Sequence, residues 1–300
     1  AALANTDCAW FVPDEVDAVR TQVENAAKAQ SDDSLSAETA RSKATVRLAS
    51  LPNNEYGAYW GTYNGTPAFF ESNGNLFVQQ AKGVIDVSEW QGDIDWAKAK
   101  SAGVEGAIIR ISYGWGNGYD KKALRNISEC KRLGIPFGIY MYSYAENSGN
   151  AASEGADVAS LLRKAGVNPN DLQYPVYYDL EAWSWTGHAH PTSSAVYDGI
   201  VNAWFSQLRN AGYSDLAVYS YTSYLNNELN SSNIHAKTRW VAQYGSRMGY
   251  TAWSSNDRGW QYSSSVRVNG ISGSVDVNAF GGKTYVQTGK DLTQTQNLVV

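Results

Sequence analysis

The sequence has no long apolar run, few cysteines and histidines, and no excess of positive charge. No apolar segment in its 300 residues approaches the ~20 that a membrane-spanning helix needs, so we expect no membrane insertion. The two cysteines, Cys8 and Cys130, match no zinc or redox spacing. A net charge of −5 leaves no basic stripe to neutralise phosphates, which argues against nucleic acid or anionic lipid as the main partner.

The histidines add no metal site, and the first residues add no targeting signal. His188, His190 and His235 fall in polar loops, where solvated histidines are commoner than ligands. The opening AALANTDCAW lacks the charged start and apolar stretch of a signal peptide, as expected of a mature secreted chain or a trimmed one. With 43% hydrophobic and 18% charged residues, the composition is that of a globular protein.

Aromatic residues are abundant and unevenly distributed among the three types. The chain has 11 Trp and 20 Tyr but only 7 Phe, so amphipathic rings outnumber the purely apolar one. A groove that stacks on polar, ring-shaped ligands requires such rings. Ordinary core packing is the alternative explanation for any single ring.

Residues 1–80 predict a small α+β region. Residues 13–30 and 35–50 have helical spacing of apolar residues, separated by the polar break SDDS, and predict a helical hairpin. Residues 56–80 carry Asn-Gly turns at 64–65 and 73–74 between aromatic runs, which predicts a three-stranded meander. No chemical motif occurs there, so we interpret residues 1–80 as an accessory region.

From residue 83 onward, short apolar runs alternate with helical patterns. Eight candidate strands occur in about 200 residues: GVIDVSEW, GAIIRISYG, PFGIYMYSYA, YPVYYDLEAW, LAVYSYTSYL, RWVAQY, GWQYS and SVDVNAF. This order is typical of a parallel sheet and favours a closed α/β barrel of the TIM type, with a doubly wound open sheet as the alternative. The later strands leave little room for helices, so we predict an irregular barrel with fewer than eight helices over residues 83–282, followed by a polar tail, 283–300.

Four acidic residues fall where such a barrel places its chemistry. Alternation along the strands puts Asp179 and Glu181 on one face, and Asp86 and Asp276 take equivalent positions on the first and last strands. In barrels of this type the active site lies at the C-terminal ends of the strands. We therefore expect the four acids to meet in one bowl ringed by tyrosines, where like charges keep one carboxyl protonated.

Three uses of clustered acids are compatible with these residues. Carboxylates suit magnesium, calcium or manganese, and Arg110 on the second strand offers an internal ion pair, although one arginine does not account for four acids. Glycoside hydrolysis is the third use, because it needs a proton donor and a second carboxylate. The aromatic residues, which could form walls that hold the sugar, fit this use best.

Five ordered motifs resemble glycoside hydrolase family 25, the Chalaropsis-type lysozymes or N-acetylmuramidases: GVIDVSEWQGDIDW, YYDLE, RWVAQY, WQYS and SVDVNAF. The resemblance covers about residues 83–282. It implies hydrolysis of the β-1,4 bond between N-acetylmuramic acid and N-acetylglucosamine in peptidoglycan, on an irregular β/α barrel, by a secreted or cell-wall-associated enzyme. No cofactor and no metal are implied, and we expect a monomer.

The resemblance also implies roles for individual residues. Glu181 matches the general acid, Asp179 its partner, and Asp86 and Asp276 the supporting acids. The residues expected to bind substrate are Tyr140, Tyr142, Tyr219, Trp240, Gln243, Tyr244 and Trp260. Asp179 either attacks directly or, as we favour, stabilises a ring formed when the substrate's own N-acetyl oxygen attacks, which also retains configuration.

Two further expectations follow. A cell-wall-binding barrel without catalysis is the alternative function, but it would not need a costly cluster of converging carboxylates. If the protein is secreted, we expect Cys8 and Cys130 to pair and to tie the N-terminal region to the barrel.

Overall fold

The computed structural model describes residues 51–283, and the predicted helical hairpin, Cys8 and residues 284–300 lie outside this range. The first element is an antiparallel meander of β1 (Tyr59–Tyr63), β2 (Thr66–Phe70) and β3 (Leu76–Gln79). Asn64 and Gly65 both have positive φ, 47° and 74°, which is the backbone of a tight hairpin turn. The predicted meander is confirmed.

The eight candidate strands form one closed barrel, as predicted. The barrel strands are β4 (Lys82–Val87), β5 (Gly106–Tyr113), β6 (Phe137–Tyr142), β7 (Val176–Asp179), β10 (Leu216–Tyr221), β11 (Thr238–Ala242), β12 (Gly259–Val266) and β13 (Val275–Phe280). A separate two-residue hairpin, β8 (Ser184–Trp185) and β9 (His188–Ala189), projects from the loop after β7.

The barrel is not wholly parallel, contrary to the sequence-based expectation. Strand β13 runs antiparallel to both β12 and β4. Only residues 267–274 connect β12 to β13, and a parallel connection needs a dozen or more residues to cross back. The reversal places Asp276, near the start of β13, beside Asp86, near the end of β4.

Six α-helices occur in residues 51–283, fewer than the eight of a complete barrel of this type. They are α1 (Trp96–Ser101), α2 (Ala123–Leu133), α3 (Ser148–Lys164), α4 (Ser194–Asn210), α5 (Thr222–Asn226) and α6 (Ser232–His235). None is long and apolar enough to span a membrane. No helix lies between β11 and β13, so that side of the barrel needs another cover.

The meander covers the outer face of β12. Phe69 stacks on Tyr262 at 4.6 Å and meets Trp260 edge-on at 5.4 Å, while Phe77 meets Trp260 at 5.3 Å. Trp60 Nε1 donates to the Tyr262 hydroxyl over 3.1 Å. These meander side chains belong to the same hydrophobic core as the barrel strands. The meander thus takes the place of a missing outer helix.

Candidate active site

The four predicted acids meet at one end of the barrel. Asp86 and Asp276 are register partners across β4 and β13. Asp179 is the last residue of β7, and Glu181 lies two residues further on, in the loop. Asp86 and Asp179 are buried, whereas Glu181 is partly exposed. The bowl at the C-terminal ends of the parallel strands therefore holds the acids that the sequence placed there.

Asp179 and Glu181 form a hydrogen-bonded carboxyl pair. Burial, followed by the negative charge of Glu181 and the hydrogen bond to it, raises the pKa of Asp179 well above its usual range. The charge of Asp86 acts in the same direction, and Arg110 opposes it. Two hydrogen-bonded carboxyl groups share a proton, because both cannot easily carry a negative charge at once. The pair can supply that proton to a leaving group.

One oxygen of Asp179 is free to act on a ligand. Asp179 Oδ1 is buried and has no hydrogen-bond partner among residues 51–283. An unpaired buried carboxylate oxygen is costly, so such groups are concentrated at functional sites. The oxygen is available to a positive or hydrogen-bond-donating group of a substrate.

Asp86 is held by two amide donors. Asn278 Nδ2 and Gln261 Nε2 donate to Asp86 Oδ2 over 2.8 and 2.9 Å, and Gln261 Nε2 also reaches Asp276 Oδ2 at 3.4 Å. Donors of this kind suit ionised carboxylates and fix their orientation. Asp86 therefore adds a fixed negative charge next to the proton-sharing pair.

Two tyrosines orient the Gln261 amide. The hydroxyls of Tyr219 and Tyr244 donate to Gln261 Oε1 over 2.8 and 2.7 Å. Because the amide oxygen accepts both phenols, its NH2 group is directed toward Asp86 and Asp276. The two predicted substrate-binding tyrosines thus also belong to the network that holds the acids.

Tyr140 and Tyr142 line the same bowl from β6. Burial raises the pKa of each phenol well above its ordinary value; the charge of Arg110 opposes this for Tyr140, and that of Glu181 reinforces it for Tyr142. Both rings are partly exposed. They stay neutral at physiological pH and can offer both a ring and a hydroxyl donor to a ligand.

Arg110 pairs with acids other than the four in the bowl. Its Nε donates to Asp120 Oδ2 over 2.8 Å, and its terminal nitrogen lies 3.3 Å from Glu89 Oε1. The ion pair that the sequence allowed inside the barrel therefore exists with Asp120 and Glu89.

Three predicted wall residues are almost fully buried. Trp260 is fully buried on the outer face of β12, against the meander. Trp240 is 1% exposed, beneath Tyr219 at 4.1 Å, and its Nε1 donates to Asn278 Oδ1 over 2.7 Å. Gln243 is buried, and its backbone carbonyl accepts from Trp260 Nε1 over 2.7 Å. Trp240 thus supports the tyrosines and the other two support the barrel wall, while the substrate-binding role of all three stays a prediction.

Gln261 and Asn278 were not predicted as site residues. Trp260 and Gln261 are sequence neighbours, so alternation places them on opposite faces of β12. Assigning the tryptophan to the bowl excluded the glutamine that lies there. A polar residue inside an apolar strand was the available signal. Asn278 shares a face with Asp276 by the same alternation.

A further buried acid stands directly behind the pair. Glu154 on α3 is fully buried and accepts from Tyr178 OH (2.5 Å), Ser143 Oγ (2.8 Å) and Tyr144 N (2.7 Å). Ser143 N in turn donates to the Asp179 carbonyl over 3.0 Å. Burial raises the pKa of Glu154 to about 7. This acid joins α3 to the ends of β6 and β7.

No group of three or more metal-ligating side chains with suitable geometry occurs within residues 51–283. What the bowl does contain is a proton-sharing carboxyl pair, two fixed carboxylates and a wall of neutral tyrosines. These are the parts of a glycoside hydrolase site on an irregular barrel.

The comparison with protein families agrees with this class. The sequence pattern of the Glycosyl hydrolases family 25 matches residues 85–271. The chain belongs to this family, which confirms the resemblance seen in its motifs.

Several relatives have known names or structures. Lysozyme M1 of Streptomyces globisporus is 30% identical over 213 residues, 66% of this chain and 67% of the relative. The modular autolysin LytC of Streptococcus pneumoniae, solved with a synthetic peptidoglycan ligand, is 35% identical with a TM-score of 0.68 over 74% of this chain and 52% of its own. A bacterial lysozyme of Streptomyces coelicolor is 28% identical with a TM-score of 0.56, over 68% and 93%. The chain thus spans about half the length of LytC.

Proposed function

We propose that this protein is a lysozyme that hydrolyses the β-1,4 bond between N-acetylmuramic acid and N-acetylglucosamine in peptidoglycan. The observation that carries the proposal is the hydrogen-bonded pair of Asp179 and Glu181 in the bowl of a family 25 barrel. The peptidoglycan ligand of LytC supports the choice of substrate. The proposed site of action is the bacterial cell wall, outside the cell, and we expect a monomer.

In this proposal Glu181 is the general acid. It is the more exposed member of the pair, so its proton can reach the glycosidic oxygen of a bound strand. As the bond to that oxygen breaks, positive charge develops on the sugar ring. Asp179 Oδ1 has no hydrogen-bond partner in the described part of the chain. It would therefore stabilise this positive charge or accept a hydrogen bond from a neighbouring N–H group.

Substrate assistance fits the carboxyl geometry better than direct attack. Retaining enzymes with a carboxylate nucleophile keep their two carboxyl groups ~5–5.5 Å apart, on opposite sides of the bond. Asp179 and Glu181 are instead within hydrogen-bond contact. The N-acetyl oxygen would attack the anomeric carbon while Glu181 protonates the leaving oxygen. Water then opens the ring so formed and returns its proton to Glu181, with retention of configuration.

We further propose that residues 83–282 hold all the chemistry and that residues 1–80 are accessory to it. All four acids and their amide and tyrosine partners lie between Asp86 and Asn278, which supports the first part. Residues 51–80 nevertheless contribute to barrel packing, because they share the hydrophobic core of the barrel.

Incubation with purified peptidoglycan tests the activity and its mechanism. We expect new reducing ends at N-acetylmuramic acid, released first as the β-anomer. Substrates bearing an N-trifluoroacetyl group should react much more slowly, because that oxygen is a poor nucleophile. Release of no reducing ends would leave the wall-binding alternative. A covalent adduct on Asp179, found by mass spectrometry, would show direct attack.

A further inference from the structure

Aromatic side chains outside the hydrophobic core gather on one side of the bowl. Trp115 follows β5. Trp185 and His188 lie on the two strands of the β8–β9 hairpin, which follows β7. Trp185 stacks on the His188 ring at 3.5 Å and 11°, and Trp115 meets Trp185 edge-on at 6.3 Å. Neither tryptophan belongs to a hydrophobic cluster of the described residues. We call Trp115, Trp185 and His188 the rim platform.

The rim platform is held rigidly. Glu146, from the loop after β6, accepts from Ala189 N over 3.2 Å and contacts His188 Nδ1 at 2.9 Å. On the other side, Gly116 N donates to Asp157 Oδ2 on α3 over 2.6 Å. The loop after β7 is thereby fixed to the loop after β6, and the loop after β5 is fixed to α3. Both tryptophans remain half-buried, so part of each ring is accessible.

Core packing does not explain Trp185. Ser184, Thr186, Gly187 and Ala189, its neighbours on the hairpin, are all exposed. Trp185 is a large aromatic side chain on an exposed two-residue strand, it stacks on His188, and Glu146 holds the hairpin by hydrogen bonds. This is the arrangement of a preorganised binding surface.

The platform is continuous with the proposed active site. Trp185 is four residues beyond Glu181, so the two lie at most ~14 Å apart along the chain. Between them, Trp183 packs on Tyr144 at 5.6 Å, and Tyr144 packs on Tyr142 in the bowl at 5.1 Å. A polymer bound across the acids therefore leaves the bowl within a few sugar rings of the platform.

We propose that the rim platform binds a further sugar ring of the same glycan strand, outside the two that flank the cleaved bond. A pyranose has an apolar face of C–H groups, which packs on an indole face while its hydroxyls stay in water. The inference rests on the proposed function, and it makes the platform a length-selecting subsite that favours long strands over short fragments.

The test compares long and short substrates. Glycan strands freed of stem peptides are separated by length, and kinetics are measured for wild type, Trp185→Ala, Trp115→Ala and Trp185→Phe. Each alanine variant loses one stacking contact with the sugar, so we expect KM for long strands to rise roughly threefold to tenfold. Their kcat, and their kcat/KM on the shortest substrate cleaved, should not change. Trp185→Phe should recover most of the loss.

Leu124→Ala is the matched control, because Leu124 is a 49% exposed apolar residue on α2, outside the platform. It should leave KM unchanged for every substrate. Equal losses on short and long strands, or no loss on long ones, would overturn the platform. If wild type cleaves nothing, the proposed function fails. Calorimetric titration of long strands into wild type and Trp185→Ala would then still test the platform, and equal affinities would refute it.

Discussion

Replacing Asp179 or Glu181 by its amide should reduce activity in both cases, but an activated substrate should restore it in only one of them. Glu181→Gln keeps the shape but has no proton to give, and general acid catalysis is typically worth about 10²–10⁴-fold, or about 3–5 kcal/mol. Leaving groups of low pKa need little protonation. An activated aryl glycoside that the enzyme accepts should therefore recover much of the rate in Glu181→Gln. Asp179→Asn should show no such rescue, because its charge acts on the sugar-ring side.

The pH profile adds a second and independent signature. Asp179 and Glu181 are hydrogen-bonded to each other, so a negative charge on one carboxyl group raises the pKa of the other. The general acid must be protonated, so activity falls as pH rises through its pKa. Removing the Asp179 charge lowers that pKa, and the alkaline limb should move to lower pH.

Initial rates on peptidoglycan and on the aryl glycoside, each measured across pH, provide the assay. Glu129→Gln, on the outer face of helix α2, is the matched control and should behave as wild type. Rescue of Asp179→Asn and not of Glu181→Gln would reverse the two roles. Near-normal rates for both variants on peptidoglycan would refute the pair as the catalytic centre.

Four further predictions concern stability, the N-terminal residues and covalent structure. Glu154 has a pKa raised to about 7 from 4.5, so the folded state binds its proton more tightly and the free energy of unfolding should fall by about 3 kcal/mol as pH rises from 4.5 to 7. Glu154→Gln should remove this slope in urea titrations, and an unchanged slope would count against the assignment. Phe69→Ala should cost about 3–5 kcal/mol in one cooperative transition, because Phe69 is fully buried between meander and barrel. A separate early unfolding transition would show that the meander folds independently of the barrel. Removal of residues 1–50 alone should leave hydrolysis measurable. Cys130 is buried, and its pairing with Cys8, which lies outside the described residues, stays a prediction. Thiol titration of the denatured, unreduced protein should find no free thiol, and two would disprove the disulfide.

The positions of the strands and of the acids were local properties, and the sequence predicted them well. Each barrel strand is a short apolar run, and Asp86, Asp179 and Asp276 interrupt such runs where a strand begins or ends. Period-two alternation is set by backbone geometry alone, so it assigned these acids to a common face without any knowledge of neighbours.

Alternation could not decide which of two faces was the inner one. Trp260 and Gln261 necessarily face opposite ways, but β12 has apolar surroundings on both sides, the barrel interior and the meander. The sequence pattern predicts the aromatic ring of Trp260 in the bowl, whereas packing against Phe69 and Phe77 places it outside. The same uncertainty applied to Trp240, which faces inward but lies beneath Tyr219.

The sequence by itself determined the order of elements, the family and the four acids, because these depend on residues close together in the chain. Only the tertiary structure decided which partners they meet. The antiparallel β13 brings Asp276 beside Asp86, and Gln261 joins both to Tyr219 across residues up to 175 positions apart. Glu154, from a helix, secures the strand ends behind Asp179. The proton shared by Asp179 and Glu181 depends on burial and on nearby charges, and these exist only once the barrel has closed.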